Sequence, residues 1–326
     1  MTGIFKSNSP SNNFFLLLYG IVIKFFLFLH PVLPKLQSSD GPLYSSFILW
    51  MKGTFSGFPI IFSIISFLLI FIQAIIFNKT VNDQRMLQKP NYLTGMAYLL
   101  ITTLFGEWFA LSAALIVNTI IVWVWARLCT LHNNNSAKTT IYNLGLAIGI
   151  SCFIYYPAIL FTLLFIVGIG ITRPFKLNEW LIGLLGITTP FYFFAAWLFL
   201  SNQWNSFHYP GALISTPIFV NFQWAMAAII LVSLAILFGV YFIQFNIRRQ
   251  IVQTRKSWQL LYLYLLVAAF IPFVNAGHSF SSWILMAVPV SLITGSALFY
   301  PDRKWFPTII HWGMVALIIG LSYFIK

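Results

Sequence analysis

Eleven times between residues 13 and 325 the chain settles into a run of mostly apolar residues, and this recurrence decides what it can fold into. The runs are 13–30, 57–78, 92–106, 108–126, 140–155, 157–172, 180–200, 217–245, 258–275, 279–299 and 305–325. A helix needs about 20 mostly apolar residues to cross a bilayer. The spacing therefore predicts an all-α, polytopic membrane protein of about eleven spans, forming a single integral domain over residues 1–326. The third, fifth and sixth runs are short, and are expected to be re-entrant or packed tightly against neighbours. Only 7% of residues are charged, against about 25% in soluble domains. That shortfall excludes a soluble enzyme, a disordered chain and a nucleic-acid-binding protein.

Charge sets the orientation. The chain carries 18 Lys and Arg against 5 Asp and Glu. With the N-terminus in the cytoplasm, fourteen of the 18 basic residues fall inside. These are Lys6, Lys79, Arg85, Lys89, Arg127, Lys138, Arg173, Lys176, Arg248, Arg249, Arg255, Lys256, Arg303 and Lys304. Lys35, Lys52 and Lys326 fall outside, and Lys24 lies within the first run. The positive-inside rule accounts for this asymmetry, so membrane lipids are the expected partners of the inner charges. Lys6 precedes the first run and no small-residue cleavage site follows it. A retained first span in a bacterial inner membrane is expected. Cys129 and Cys152 are expected at opposite faces, hence unpaired. Gly145 and Gly149 would admit a close helix neighbour, while Asn118 and His311 read as hydrogen-bonders between helices.

The five acids divide by side. Asp83, Glu179 and Asp302 lie inside beside basic residues and read as local charge partners; Glu179 also opens a helix, where an anion is favoured. Asp40 and Glu107 lie outside. An acid this close to hydrocarbon is a functional candidate, although a solvated turn residue is the plainer reading of each. Glu107 sits in the tight turn Phe105-Gly106-Glu107-Trp108. Asp40 precedes a stretch with Leu43, Phe47, Trp50 and Met51 at helical spacing and Ser45, Ser46 and Lys52 opposite, an expected interfacial helix. Later outer segments offer Trp204 and His208, then His278. The first two suit sugar binding or an aromatic belt; His278 is a further substrate-binding candidate, with a solvated turn residue as the plainer reading. The sequence has no phosphate-binding P-loop, HExxH or dinucleotide motif. No metal site or soluble cofactor is evident, and no cofactor can be named.

Two resemblances bear on function. Leu104-Phe105-Gly106-Glu107, Leu111-Ser112, Asn118, Tyr156-Pro157, Arg173-Pro174-Phe175, Glu179-Trp180-Leu181, Gly186, Pro190, Lys256-Ser257-Trp258 and Ala287-Val288-Pro289 are similar to an uncharacterised family of polytopic membrane proteins from Bacteroidota. That likeness covers most of the chain and brings no activity with it. The layout also resembles the C-type glycosyltransferases, which use polyprenyl-phosphate sugars. Their first outer loop carries an essential acid before interfacial helices, a place that Asp40 matches, and Glu107 matches a second outer acid. This resemblance implies a polyprenyl-phosphate-linked sugar as partner, with Lys35 and Lys52 near its phosphate. The usual acidic pair is here a single Asp40, and a soluble C-terminal domain is missing. A carrier or lipid flippase, or a non-catalytic membrane subunit, is the rival expectation.

Overall fold

The computed structural model describes residues 2–55, 57–133, 137–204, 214, 222–274, 280–301, 303 and 305–324. Their regular secondary structure is all helical, with no strand among them. The helices are α1 (Thr2–Phe5), α2 (Asn12–Leu29), α3 (Pro42–Phe55), α4 (Ile60–Asp83), α5 (Leu93–Leu104), α6 (Ala113–Thr130) and α7 (Ala137–Ile154). They continue as α8 (Phe161–Thr172), α9 (Leu177–Leu200), α10 (Phe222–Ile247), α11 (Val252–Phe270), α12 (Ala287–Phe299) and α13 (Trp305–Phe324). Each of the eleven apolar runs overlaps helix, although some of their residues, 217–221 and 279 among them, lie outside the described residues.

Among the described residues, eight helical stretches are long and apolar enough to cross a membrane, counting α11 and α12 together with the 3-10 turns that adjoin them, Val252–Phe273 and Phe280–Phe299. Three are shorter: Leu93–Leu104, Tyr156–Thr172 and Trp305–Gly320. The first two are the third and sixth runs, as expected. The fifth run, expected to be short, is a full 18-residue helix because it starts earlier, at Ala137. Two other boundaries differ. α4 continues to Asp83, so Lys79 rides on the helix rather than in a loop. α6 begins only at Ala113, because Gly106–Phe109 closes into a 3-10 turn; the Ser112 hydroxyl then accepts the Leu115 N–H at 3.2 Å and caps the helix.

All residues of α5 and α12 are buried. The two pack on each other, with α2, α4, α10 and α13 around them. The lipid-facing character shows at the rim. Leu181, Leu185, Phe193 and Trp197 of α9 are exposed, as are Ile230, Leu234, Leu237 and Tyr241 of α10. In water, contiguous apolar surface of this extent marks an interaction face; on long apolar helices it is a bilayer face.

Two contacts lock the bundle. Gly145 and Gly149 of α7 meet Gly183, Gly186 and Pro190 of α9. A Cβ on Gly145 would lie 2.5 Å from the Gly183 carbonyl oxygen, and one on Gly186 2.4 Å from that of Tyr142. Only glycine permits this backbone approach. The second contact is a buried polar cluster. Tyr264 donates to Asn118 Oδ1 at 2.9 Å, and Asn118 Nδ2 donates to the Tyr98 hydroxyl at 3.0 Å and to Gln73 Oε1 at 3.1 Å. Tyr98 donates to the same Gln73 oxygen, and Gln73 Nε2 reaches the Leu115 carbonyl at 3.0 Å. The cluster ties α4, α5, α6 and α11 together. Asn118 is thus a link between helices, and so is His311, 2.9 Å from the Tyr19 hydroxyl. Both cysteines are buried and free.

Candidate functional site

The loop carrying Asp40 is fixed by main chain. Gly41 N–H donates to the Ile154 carbonyl at 2.9 Å and Tyr156 N–H to the Ser39 carbonyl at 3.0 Å, so Asp40 pairs with Tyr155 as an isolated antiparallel bridge. A Cβ on Gly41 would lie 2.0 Å from the Phe153 carbonyl oxygen. Glycine is therefore required for the loop to sit on the end of α7. A tight turn completes the clamp. Asp40 N–H donates to the Gln37 carbonyl at 3.1 Å, and Gln37 N–H returns to Asp40 Oδ2 at 2.8 Å. The other carboxyl oxygen, Oδ1, has no hydrogen bond among the described residues.

Asp40 is half-buried. Burial raises its pKa from 3.8 to about 6, with the Gln37 N–H pulling the other way. Desolvation disfavours the charged carboxylate more than one amide restores it. Two tyrosines flank the acid. Burial first, and then the Asp40 charge, push the Tyr44 and Tyr155 hydroxyls above the ordinary tyrosine value. Tyr44 donates to the Leu111 carbonyl at 2.9 Å, and Tyr155 lies beside the Ser39 and Ser282 side chains.

Glu107 is exposed on the 3-10 turn and accepts the Phe280 N–H at 2.6 Å. Trp108 Nε1–H donates to the Phe280 carbonyl at 2.9 Å, and the Trp108, Phe280 and Trp283 rings stack. The segment Phe280–Met286 also serves the first loop, because Gln37 Nε2 donates to Ser281 Oγ at 3.3 Å. Asp40 and Glu107 are therefore referred to one stretch of chain, Glu107 directly and Asp40 through Gln37. Beside it lies an almost wholly apolar cleft of about 260 Å³ between α5, α10 and α12, lined by Phe105, Trp108, Val232, Ile236 and Trp283.

Other expected site residues are placed elsewhere. Lys35 is exposed and Lys52 half-exposed on the last turn of α3; neither makes a hydrogen bond or ion pair among the described residues. Trp204 is exposed and lines a separate concavity with Tyr192 and Phe199. His208 and His278 lie outside the described residues. Among those described, no group of His, Cys, Asp and Glu could hold a metal.

α3 forms where the sequence placed it, but its faces need one correction. Tyr44, Ile48 and Met51 are buried against the protein, while Leu43, Phe47 and Trp50 point outward. Met51 thus belongs with the inner stripe, because Tyr44, Ile48 and Met51 follow the i, i+4, i+7 line that faces α7. On the opposite side of the bundle, Arg173 grips Glu179 with two bonds of 2.9 and 3.1 Å, as its charge-partner reading expects. Asp83 departs from that reading and forms no ion pair among the described residues. Asp302 lies outside them.

The sequence reading passed over Lys24. It has no exposed surface, yet it lies within α2. Its ammonium donates to the Thr103 and Thr102 hydroxyls at 2.9 and 3.2 Å and sits 5.5 Å from the centre of the Phe109 ring. The available signal was its position inside an apolar run, where an ionisable group is rare.

Residues 40–326 match a family of unknown function, DUF6427. The chain belongs to that family. No curated protein and no solved structure matches it.

Proposed function

We propose that this is a bacterial inner-membrane protein with eleven crossings and a cytoplasmic N-terminus, working at the outer face in the manner of a glycosyltransferase. Its substrate would be a sugar on a polyprenyl phosphate, and Asp40 its general base. Lys35 and Lys52, with Trp204, His208 and His278, remain candidates for contacts to phosphate and sugar.

One observation carries the reading. Asp40 is held rigidly through one carboxyl oxygen while the other has no partner among the described residues, and its pKa of about 6 suits proton transfer near neutrality. In the proposed step, Oδ1 takes the proton of an acceptor hydroxyl. The acceptor oxygen bonds the anomeric carbon, and the polyprenyl phosphate leaves with the electron pair of the broken C–O bond. A base so placed contributes about 10²–10⁴ in rate. The apolar cleft beside Glu107 supports a donor with a hydrocarbon tail. A carrier is less well supported, since Gln73, Tyr98, Asn118 and Tyr264 are engaged with one another in the core.

The test is transfer of sugar from the polyprenyl-linked pool into an envelope glycan. Asp40→Asn should abolish it at normal protein level, and Asp302→Asn should not. Full activity in Asp40→Asn would discard the catalytic role and leave a non-catalytic membrane subunit as the reading.

A further inference from the structure

The bundle has a second polar concavity at the end opposite Asp40, unrelated to the outer-face chemistry. It is a pocket of about 340 Å³ between the start of α2, the last turns of α4 and the segment before α5. Asn13, Lys79, Asp83 and Tyr92 are among its lining residues. Its floor is rigid. Asn78 and Asn82 both donate to the Asn91 carbonyl, at 3.1 and 2.9 Å, and Asn82 Oδ1 accepts the Asn91 N–H at 3.2 Å.

The charges in this pocket are unusual for a helix. Lys79 and Asp83 stand four residues apart on α4, a spacing at which opposite charges commonly pair. Here neither makes an ion pair or hydrogen bond among the described residues. One unengaged cation and one unengaged anion thus face the same cavity. Their place on the helix says what reaches them. Ile60, Ile64, Leu68 and Ile72 form the exposed stripe of α4, and Lys79 and Asp83, both exposed, continue it by the 3.6-residue period. The apolar stripe faces hydrocarbon, so the charges lie where the same stripe emerges at headgroup depth.

We propose that this pocket binds a zwitterionic phospholipid whose headgroup carries a phosphate and a primary ammonium, of the phosphatidylethanolamine type. Lys79 takes the phosphate and Asp83 the ammonium. Asn13 and Tyr92, which also line the pocket, would offer polar groups to the remaining headgroup oxygens, and the acyl chains would lie along the Ile60–Ile72 stripe. A purely anionic headgroup would leave Asp83 facing a phosphate. A trimethylated headgroup would offer its carboxylate no N–H donor.

The experiment is native mass spectrometry of the full chain in detergent, with phosphatidylethanolamine, phosphatidylcholine and phosphatidylglycerol of identical acyl chains added at equal concentration. Wild type should retain phosphatidylethanolamine over both others. Asp83→Asn should cut its preference over phosphatidylcholine by about 10- to 100-fold, the size of one charge-assisted hydrogen bond, and Asp83→Glu should restore it. Lys79→Gln should lower retention of all three lipids, whereas Lys176→Gln should change none. Equal retention in wild type, a preference for phosphatidylglycerol, or a preference unchanged in Asp83→Asn would overturn the proposal. So would displacement of the lipid by free phosphoethanolamine at matched concentration, which would assign the pocket to a soluble ligand.

Discussion

Asp40 and Glu179 lie at opposite ends of the bundle, and their surroundings hold them in contrasting ways. Glu179 is almost fully buried and gives both carboxyl oxygens to the Arg173 guanidinium, which also reaches the Leu131 carbonyl. Both oxygens there have work within the fold, so the acid acts as a fastener joining the turn after α8 to the ends of α6 and α9. Asp40 has no such cation among the described residues. Its loop is held by backbone bonds at Ser39 and Gly41, and the carboxylate contributes one bond to Gln37. Position there is supplied by the main chain, which leaves half of the carboxyl group uncommitted. A side chain that the fold does not need for its own stability is one that chemistry can use.

That contrast can be broken by experiment. The largest effect is expected for Asp40→Asn, a loss of about 10²–10⁴ in transfer rate with no fall in melting temperature, because the amide oxygen still accepts the Gln37 N–H. Wild-type activity should rise with pH through an inflection near 6. If transfer in wild type is flat from pH 5 to 8, Asp40 is not the base.

Gly41→Ala comes next. Its Cβ meets the Phe153 carbonyl, main chain that cannot swing aside, so a stability loss of about 3 kcal/mol is expected. Thermal melts that match wild type would show the loop is not clamped. Glu179→Gln leaves Arg173 without its anion and should lower stability by about 2–3 kcal/mol with transfer per folded molecule unchanged. If it abolished transfer at full stability, the division between fastener and reagent would fail.

A smaller effect lies in the pH dependence of stability. The folded-state pKa of Asp40 is raised, so the folded protein holds this proton more tightly than the unfolded chain. The resulting stability is fully present below pH 3.8 and is lost as pH rises through about 6. Melts of wild type and Asp40→Asn across this window should differ in that slope. The smallest effect is expected from Lys24→Met, within about 1 kcal/mol. Thr102 and Thr103 keep their own bonds to the Tyr98 and Leu99 carbonyls, so no hydroxyl is orphaned. A large destabilisation would make Lys24 a fastener like Arg173.

What was legible in the sequence follows from the range of the interactions involved. The helices, the close approach at Gly145 and Gly149 and the place of Glu179 in the first turn of α9 depend on local period and composition. Asn118 and His311 could be read because a polar group inside an apolar run must find a partner on another helix. The identity of that partner was not legible. Tyr264 lies 146 residues from Asn118, and Phe280 lies 173 from Glu107. The same holds for Gly41, whose role depends on a carbonyl more than a hundred residues away, and for Lys24, whose hydroxyl partners sit on α5. The faces of α3 were half legible. Its periodicity marks two apolar stripes and does not say which of them the protein covers.

The enclosure of α5 and α12 has a consequence for the membrane itself. A 12-residue helix exposed to lipid would force the bilayer to thin around it. α5 is surrounded by protein, so its length answers to neighbouring helices alone. Bilayer thickness is felt instead by the outer ring, where α9 and α10 run 24 and 26 residues and can change tilt. A thicker or thinner host membrane would therefore lean the rim against a centre of fixed height.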